Sequence, residues 1–210
     1  MGANENYQFS AKVYDVLDQT YFRKSATSPR TAVISVLGDE PLKILDMCTG
    51  TGANAFAIAG ARTNAKVIGI DISAAMLQKA AAKLEQAGLA NVKLLHMDAA
   101  NLQFPNEEFD VVLISLVLHE ISPDLAGKLL GEARRVLKNA GKLIVVEWEE
   151  PVSLFKRIPF YLVKKTEPAG FEGFLKTEME QYFFRFGFEM IQTIHCDYSK
   201  VMVLSKNKHI

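Results

Sequence analysis

The sequence predicts an α/β fold: a doubly wound sheet of seven strands, mostly parallel, with an antiparallel C-terminal hairpin and a helical N-terminal cap. Three observations predict it. Apolar runs alternate with helical patterns from Lys43 to Trp148, the order of a parallel sheet with helical crossovers. Those runs are apolar throughout, as expected of strands covered on both faces. Acids close the first three runs, Asp46, Asp71 and Asp98, at the strand ends where open parallel sheets bind ligands.

The elements follow in order. Phe9, Val13, Val16, Leu17 and Tyr21 recur at helical spacing, so Tyr7 to Lys24 is read as a helix. A second helix runs from Pro29, suited to a first turn, to Leu37, and Gly38 stops it. KILDM (43–47) is the first strand and AFAIAGAR (55–62) the next helix. KVIGID (66–71) is the second strand; in the helix after it Ser73 is the N-cap and Gly88 the end. VKLLHMD (92–98) is the third strand, and a fourth begins at Phe109. Ser122 and Pro123 open a helix that runs to Lys138, and GKLIVVEW (141–148) is the fifth strand. After Pro151 the alternation breaks into a mixed, proline-interrupted stretch. A helix is expected from Leu175 to Phe186, then two strands that turn near Asp197. The chain reads as one domain, with a cap over 1–40, a core over 42–148, an insertion over 150–174, and a helix and hairpin over 175–210.

Composition narrows the function classes. The 210 residues are 49% hydrophobic, enough for a sizeable single core. Lys and Arg number 24, as do Asp and Glu, and this balance argues against a dedicated nucleic-acid surface. Cys48 and Cys196 are far apart and have no metal-ligand spacing, which fits a reduced, cytoplasmic setting and predicts no metal. The N-terminus has no apolar run, so no secretory leader is expected. Met1-Gly2 opens like a myristoylation signal, but Asn6 stands where Ser or Thr belongs. No run of about 18 apolar residues occurs, so no membrane insertion is expected. The partners expected are a small molecule and, at most, a second copy of the chain.

The chemistry centres on Asp46-Met47-Cys48-Thr49-Gly50-Thr51-Gly52, directly after the first strand. Gly50 and Gly52 let the backbone approach a ligand. Gly50, Gly52 and Ala55 also fit the dinucleotide fingerprint, with Asp71 about 20 residues on. Taken alone, that match admits NAD as readily as S-adenosylmethionine. Asp46 separates them by charge, because a carboxylate repels a pyrophosphate and attracts an ammonium and a sulfonium. Asp71 suits two ribose hydroxyls and Asp98 an adenine amine. Ile72, Met76 and Leu102 are apolar neighbours suited to sandwiching an adenine ring. For each acid, a simple turn-capping role is the alternative.

ILDMCTGTG, VIGIDIS, HMDAANLQFPNEEFDVVLISLVLHEI and EARRVLKNAGKLIVVE, in that order, resemble the motifs of class I S-adenosylmethionine-dependent methyltransferases. The group resembled includes the ubiquinone/menaquinone C-methyltransferases, and the resemblance runs from about Leu42 to Glu147. It implies a Rossmann-like fold with S-adenosylmethionine as cofactor. It places Asp46, Cys48, Gly50 and Gly52 at the methionine end, Asp71 and Ile72 on the ribose, and Met76 beside the adenine. Asp98 and the Ala99 backbone then read the adenine edge, and Ser115 begins the loop under the methionine part. The N-terminal cap of such proteins often covers the cofactor, which implies contacts from Tyr14 and Arg30. The family often has Gly where Cys48 stands, and Cys48 is read as a small lining residue, not a nucleophile. Asn139-Ala140-Gly141 replaces a common Pro-Gly-Gly turn.

The acceptor side is marked by His119 and Glu120 after the fourth strand and by Glu147 at the end of the fifth. His119 is a candidate base or substrate contact, or else a structural histidine bonded to a loop backbone. Glu147 is a candidate to orient the substrate, and Trp148 either walls the pocket or joins the core. His96, His195 and His209 are weaker candidates, and the Tyr7, Tyr14 and Tyr21 series reads as a packed helix face. FKRIPFYLVKK sets basic residues around apolar ones, suited to a lipid-like acceptor or a membrane surface, or to a solvated cap. The leading function is methyl transfer to a small molecule, apolar or quinone-like. An NAD-type oxidoreductase and a non-catalytic S-adenosylmethionine-binding protein are the alternatives.

Overall fold

The structure, a computed structural model, describes residues 27–207. The helix expected over Tyr7 to Lys24, the tyrosine series and His209 lie outside the described residues. The described elements are α1 (Pro29–Ser35), β1 (Lys43–Met47), α2 (Ala53–Ala61), β2 (Lys66–Asp71), α3 (Ala74–Ala87), β3 (Val92–His96) and β4 (Phe109–Ser115). After them come α4 (Pro123–Val136), β5 (Leu137–Trp148), α5 (Leu154–Thr166), α6 (Phe171–Leu175), α7 (Met179–Phe184), β6 (Phe188–His195) and β7 (Ser199–Lys206).

One seven-stranded sheet has the order β3-β2-β1-β4-β5-β7-β6. β1 to β5 pair in parallel, and β7 enters antiparallel between β5 and β6. Strand order reverses between β1 and β4, so the cleft beyond their carboxyl ends is where such a sheet binds ligands. Alternate side chains feed two core layers. Ile44, Val67, Leu113 and Ile144 pack towards α1 and α2. Leu45, Met47, Val112 and Ile114 pack with α4 and α7, from which Leu129, Leu130, Met179 and Phe183 reach in.

The helix ends follow their side chains. Ser28 accepts from the Arg30 N–H at 3.3 Å ahead of Pro29. Ser73 accepts from Met76 at 3.4 Å and Ser122 from Leu125 at 3.3 Å. Gly88 closes α3 at φ 62°. Arg135 in the last turn of α4 donates to the carbonyls of Leu102 and Phe104, tying down the β3–β4 connection.

Beyond shifts of one or two residues at helix ends, the structure differs from the sequence expectation in four places. β3 stops at His96 because Met97 and Asp98 leave the ladder for a turn. β5 begins at Leu137 rather than Gly141: Leu137 is fully buried and pairs with Phe109, and a register shift follows before Val111 meets Lys142. The mixed insertion contains α5, which carries Pro159 inside it. The single helix expected over Leu175 to Phe186 is two, α6 and α7, because their anchors go to different places. Phe171 joins Trp148, Phe160 and Val163 in a small third cluster, whereas Met179 and Phe183 enter the main core. No described helix is long and apolar enough to cross a membrane.

Candidate active site

The loop after β1 is held by its own acids. Asp46 is 1% exposed and accepts a 2.5 Å hydrogen bond from the Thr49 hydroxyl. Burial raises its carboxyl to about 7 against the opposing bonds from Thr49 and the Ala55 backbone. Arg30, on α1, lies near enough for its charge to act on Asp46. Asp71 ties the loop to β2: one oxygen accepts from the Gly50 N–H and the other from the Ser73 N–H, each at 2.8 Å. Each oxygen keeps a second lone pair, so the carboxylate caps the turn and still has capacity to accept from hydroxyls.

Three alternate positions of the loop are left-handed: Cys48 at φ 58°, Gly50 at 57° and Gly52 at 83°. A Cβ on Gly50 would meet nothing within 4 Å, so this backbone borders open space, whereas a Cβ on Gly52 would strike the Phe56 ring. Cys48 adopts a conformation that costs an L-residue about 1–2 kcal/mol, which accounts for glycine being common there in the family it resembles. Burial pushes the Cys48 thiol up to about 12, and Asp71, Asp46, Asp98 and Glu120 reinforce the rise. It is a protonated lining group at neutral pH, and four acids act on one point of the loop.

The other cofactor-side residues are distributed along the same edge. Ile72 is 60% exposed and Met76 half-buried at the start of α3. Asp98 is exposed, and one of its oxygens caps the Ala100 N–H at 2.8 Å; Ala99 beside it is buried. Ser115 is half-buried at the end of β4, ahead of Leu116 at φ 56°. Leu102 is buried and belongs to the main core cluster, as Ala99 does. His96 bonds the Ile72 carbonyl at 2.8 Å, a structural role.

The acceptor-side residues converge, but not as expected. Glu147 is fully buried, and both of its oxygens are engaged by the protein. One of its oxygens accepts from the backbone N–H groups of Val117 and Leu118, at 3.2 and 2.8 Å, and the other meets His119 Nδ1 at 2.6 Å. Glu147 is therefore a positioning residue for the β4–α4 loop and for His119. Trp148 takes its place in the third cluster. His119 is bonded to a carboxylate rather than to a loop backbone. Its Nε2 lies 3.3 Å from Glu167 Oε2 and 3.9 Å from Glu120 Oε1. Burial lowers the imidazole's pKa, but the Glu147 charge and hydrogen bond and the Glu167 interactions outweigh it and lift His119 to about 10. Phe171 and Phe174 stand against the ring, with centroids 5.3 and 6.1 Å away.

Glu167 was not identifiable from sequence. It sits between α5 and α6 in the stretch where the helical pattern is interrupted, and only the fold brings it to His119. The bulky apolar residues after it, Phe171 and Phe174, were the one visible sign that this segment returns to the core. His195 pairs with Glu149 at 2.7 Å on the surface, remote from this cluster in bonding.

The fold, the switch point and the glycine loop can be set beside known proteins. Residues 44–141 match the family model of the methyltransferase domain. It is 35% identical over 140 residues to demethylmenaquinone methyltransferase of Geobacillus sp., covering 66% of this chain and 59% of that protein. It is 37% identical over 139 residues to the protein of the same name from Thermus thermophilus, covering 66% and 62%. The chain thus spans about three fifths of the length of these curated relatives. A S-adenosylmethionine-dependent methyltransferase from Aquifex aeolicus superposes with a TM-score of 0.71 at 19% identity, over 92% of this chain and 97% of that one, a likeness of fold. None of these matches favours the oxidoreductase alternative.

Proposed function

We propose that this chain transfers the methyl group of S-adenosylmethionine to a small, apolar, quinone-like acceptor. The observation that carries the reading is the acid-rimmed loop: Asp46, Asp71, Asp98 and Glu120 all act on Cys48 between them. Such a field repels a pyrophosphate and attracts an ammonium and a sulfonium. The open backbone at Gly50 fits a ligand lying against it. Asp46, Cys48, Gly50 and Gly52 would hold the amino-acid end, Asp71 and Ile72 the ribose, and Met76, Asp98 and Ala99 the adenine, with Ser115 beneath. When bound, the cofactor supplies a methyl group activated by the sulfonium. The chain's part is to orient the acceptor, an effect worth about 7–11 kcal/mol when reacting atoms are well placed. His119 and Glu120 are assigned to the acceptor's oxygen, and Glu147 keeps His119 in place.

Two observations favour an apolar acceptor. The curated relatives are named for a quinone, and α5 carries an apolar outer face beside the third cluster. Leu154, Phe155, Ile158, Tyr161 and Leu162 fall on one side of the helix, and Phe155 is 87% exposed. Lys156, Arg157, Lys164 and Lys165 lie on the same helix, which has no acid. This face suits an acceptor drawn from a lipid surface. Two unpaired cysteines fit a reducing compartment, and we place the chain in the cytoplasm as a monomer or homodimer.

Calorimetry with S-adenosylmethionine, S-adenosylhomocysteine and NAD tests the cofactor. Binding of the two adenosyl-sulfur ligands is expected; NAD binding without them would sink the reading.

A further inference from the structure

We propose that His119, Glu120 and Glu167 form a site for one divalent transition-metal ion. Three ligand atoms, one from each residue, lie within 4.8 Å of one another. They come from the loop after β4 and from the link between α5 and α6. His119 Nε2 is 3.3 Å from Glu167 Oε2 and 3.9 Å from Glu120 Oε1. Ligand atoms around an ion with bonds of about 2.0–2.2 Å sit roughly 3–3.4 Å apart. The His119–Glu167 pair is at that spacing, and Glu120, whose side chain is 40% exposed, has to move inward to complete the set.

The second observation concerns the imidazole. His119 is 5% exposed, and its buried Nε2 has no hydrogen-bond partner of acceptable geometry. That nitrogen is aimed at the two carboxylates. The opposite nitrogen is engaged by Glu147, which is itself fixed by two backbone N–H groups. A carboxylate behind a histidine, orienting its free nitrogen, is the arrangement found behind metal-ligating histidines. Three carboxylates also gather oxygen donors around this one imidazole, and a divalent ion bound there takes the place of the proton on Nε2.

The donor set names the ion class. One imidazole and two carboxylates suit Zn²⁺, Mn²⁺ or Co²⁺, whereas Mg²⁺ and Ca²⁺ favour all-oxygen shells. Three protein ligands leave at least one position for an oxygen ligand. That the oxygen is the acceptor's hydroxyl rests on the proposed methyl transfer; the binding of the ion does not. The spacing of the two cysteines predicted no metal; His119 and Glu120 are sequence neighbours, and Glu167 is contributed from a separate segment.

Chelator-treated full-length protein titrated with Co²⁺, followed by visible absorption and calorimetry, tests the site. The expected result is one Co²⁺ per chain with ligand-field bands of a nitrogen–oxygen site. Glu167→Gln and Glu120→Gln should each weaken binding at least tenfold, while an unchanged circular dichroism spectrum and thermal unfolding midpoint of the ion-free variants report an intact fold. No stoichiometric Co²⁺ binding, or wild-type affinity in both variants, overturns the proposal and leaves His119 held among its carboxylates without a metal. The cobalt titration contains neither cofactor nor acceptor, so a failure of the methyl-transfer reading cannot produce either result.

Discussion

Asp46 carries the electrostatics of the loop, and its raised carboxyl makes the loop sensitive near neutral pH. The folded chain holds this proton up to about 7, against an ordinary value of 3.8. For an acid raised in this way, the contribution to stability is complete below the unfolded value and is lost as pH rises through about 7. Ligand binding has the opposite sense, since an ammonium requires the carboxylate. S-adenosylmethionine affinity should rise as pH increases through about 7, with proton release visible as a buffer-dependent binding enthalpy; Asp46→Asn should flatten both. Asp71→Ala should weaken cofactor binding by about 1–3 kcal/mol through lost charge-assisted hydrogen bonds, and unchanged affinity in the folded variant would remove it from the site. Cys48→Ala should leave turnover within a few fold, because a thiol held near 12 is no nucleophile. These acids were legible in sequence because each ends its own apolar run beside a glycine or a cap. Their second duty was not: nothing in VIGIDIS shows that Asp71 also holds the Gly50 and Ser73 amides.

At the scale of elements, α5 shows what patterning hides. Its two apolar faces, Phe160 and Val163 inward and Phe155 and Ile158 outward, erase the helical contrast that periodicity needs. Pro159 and the nearby Pro151 and Pro168 read as loop signals in sequence. The central strands β1 and β4 were plain because their burial is nearly continuous, and the break between α6 and α7 was invisible because it follows from where Phe171 and Met179 are anchored. The outer face of α5 makes a measurable claim. Phe155→Glu with Ile158→Glu should reduce cosedimentation with vesicles of anionic phospholipid at least tenfold, each buried side chain being worth about 1.5–3 kcal/mol. Cofactor affinity should not change. Equal vesicle binding by wild type and variant would show that this face does not dock on lipid.

For the whole molecule, sheet order places two groups of charge at one rim. The cofactor loop follows β1, and the His119 cluster is fixed where β4 and β5 end, immediately across the switch in strand order. The carboxyl ends of parallel strands thus bring an acid-rimmed loop and an acceptor cluster together without either being adjacent in sequence. Glycine spacing, strand alternation and the order of acids pointed to the proposed cofactor half. The acceptor half needed the fold, because Glu147, His119 and Glu167 come from three separate segments. The central claim is tested most directly by incubating the protein with S-adenosylmethionine bearing a CD3 methyl group and a short-chain demethylated naphthoquinol, then reading the products by mass spectrometry. The account predicts one CD3 group on the acceptor and one S-adenosylhomocysteine per turnover. Bound cofactor with no labelled quinol, at concentrations that saturate both ligands, would contradict it.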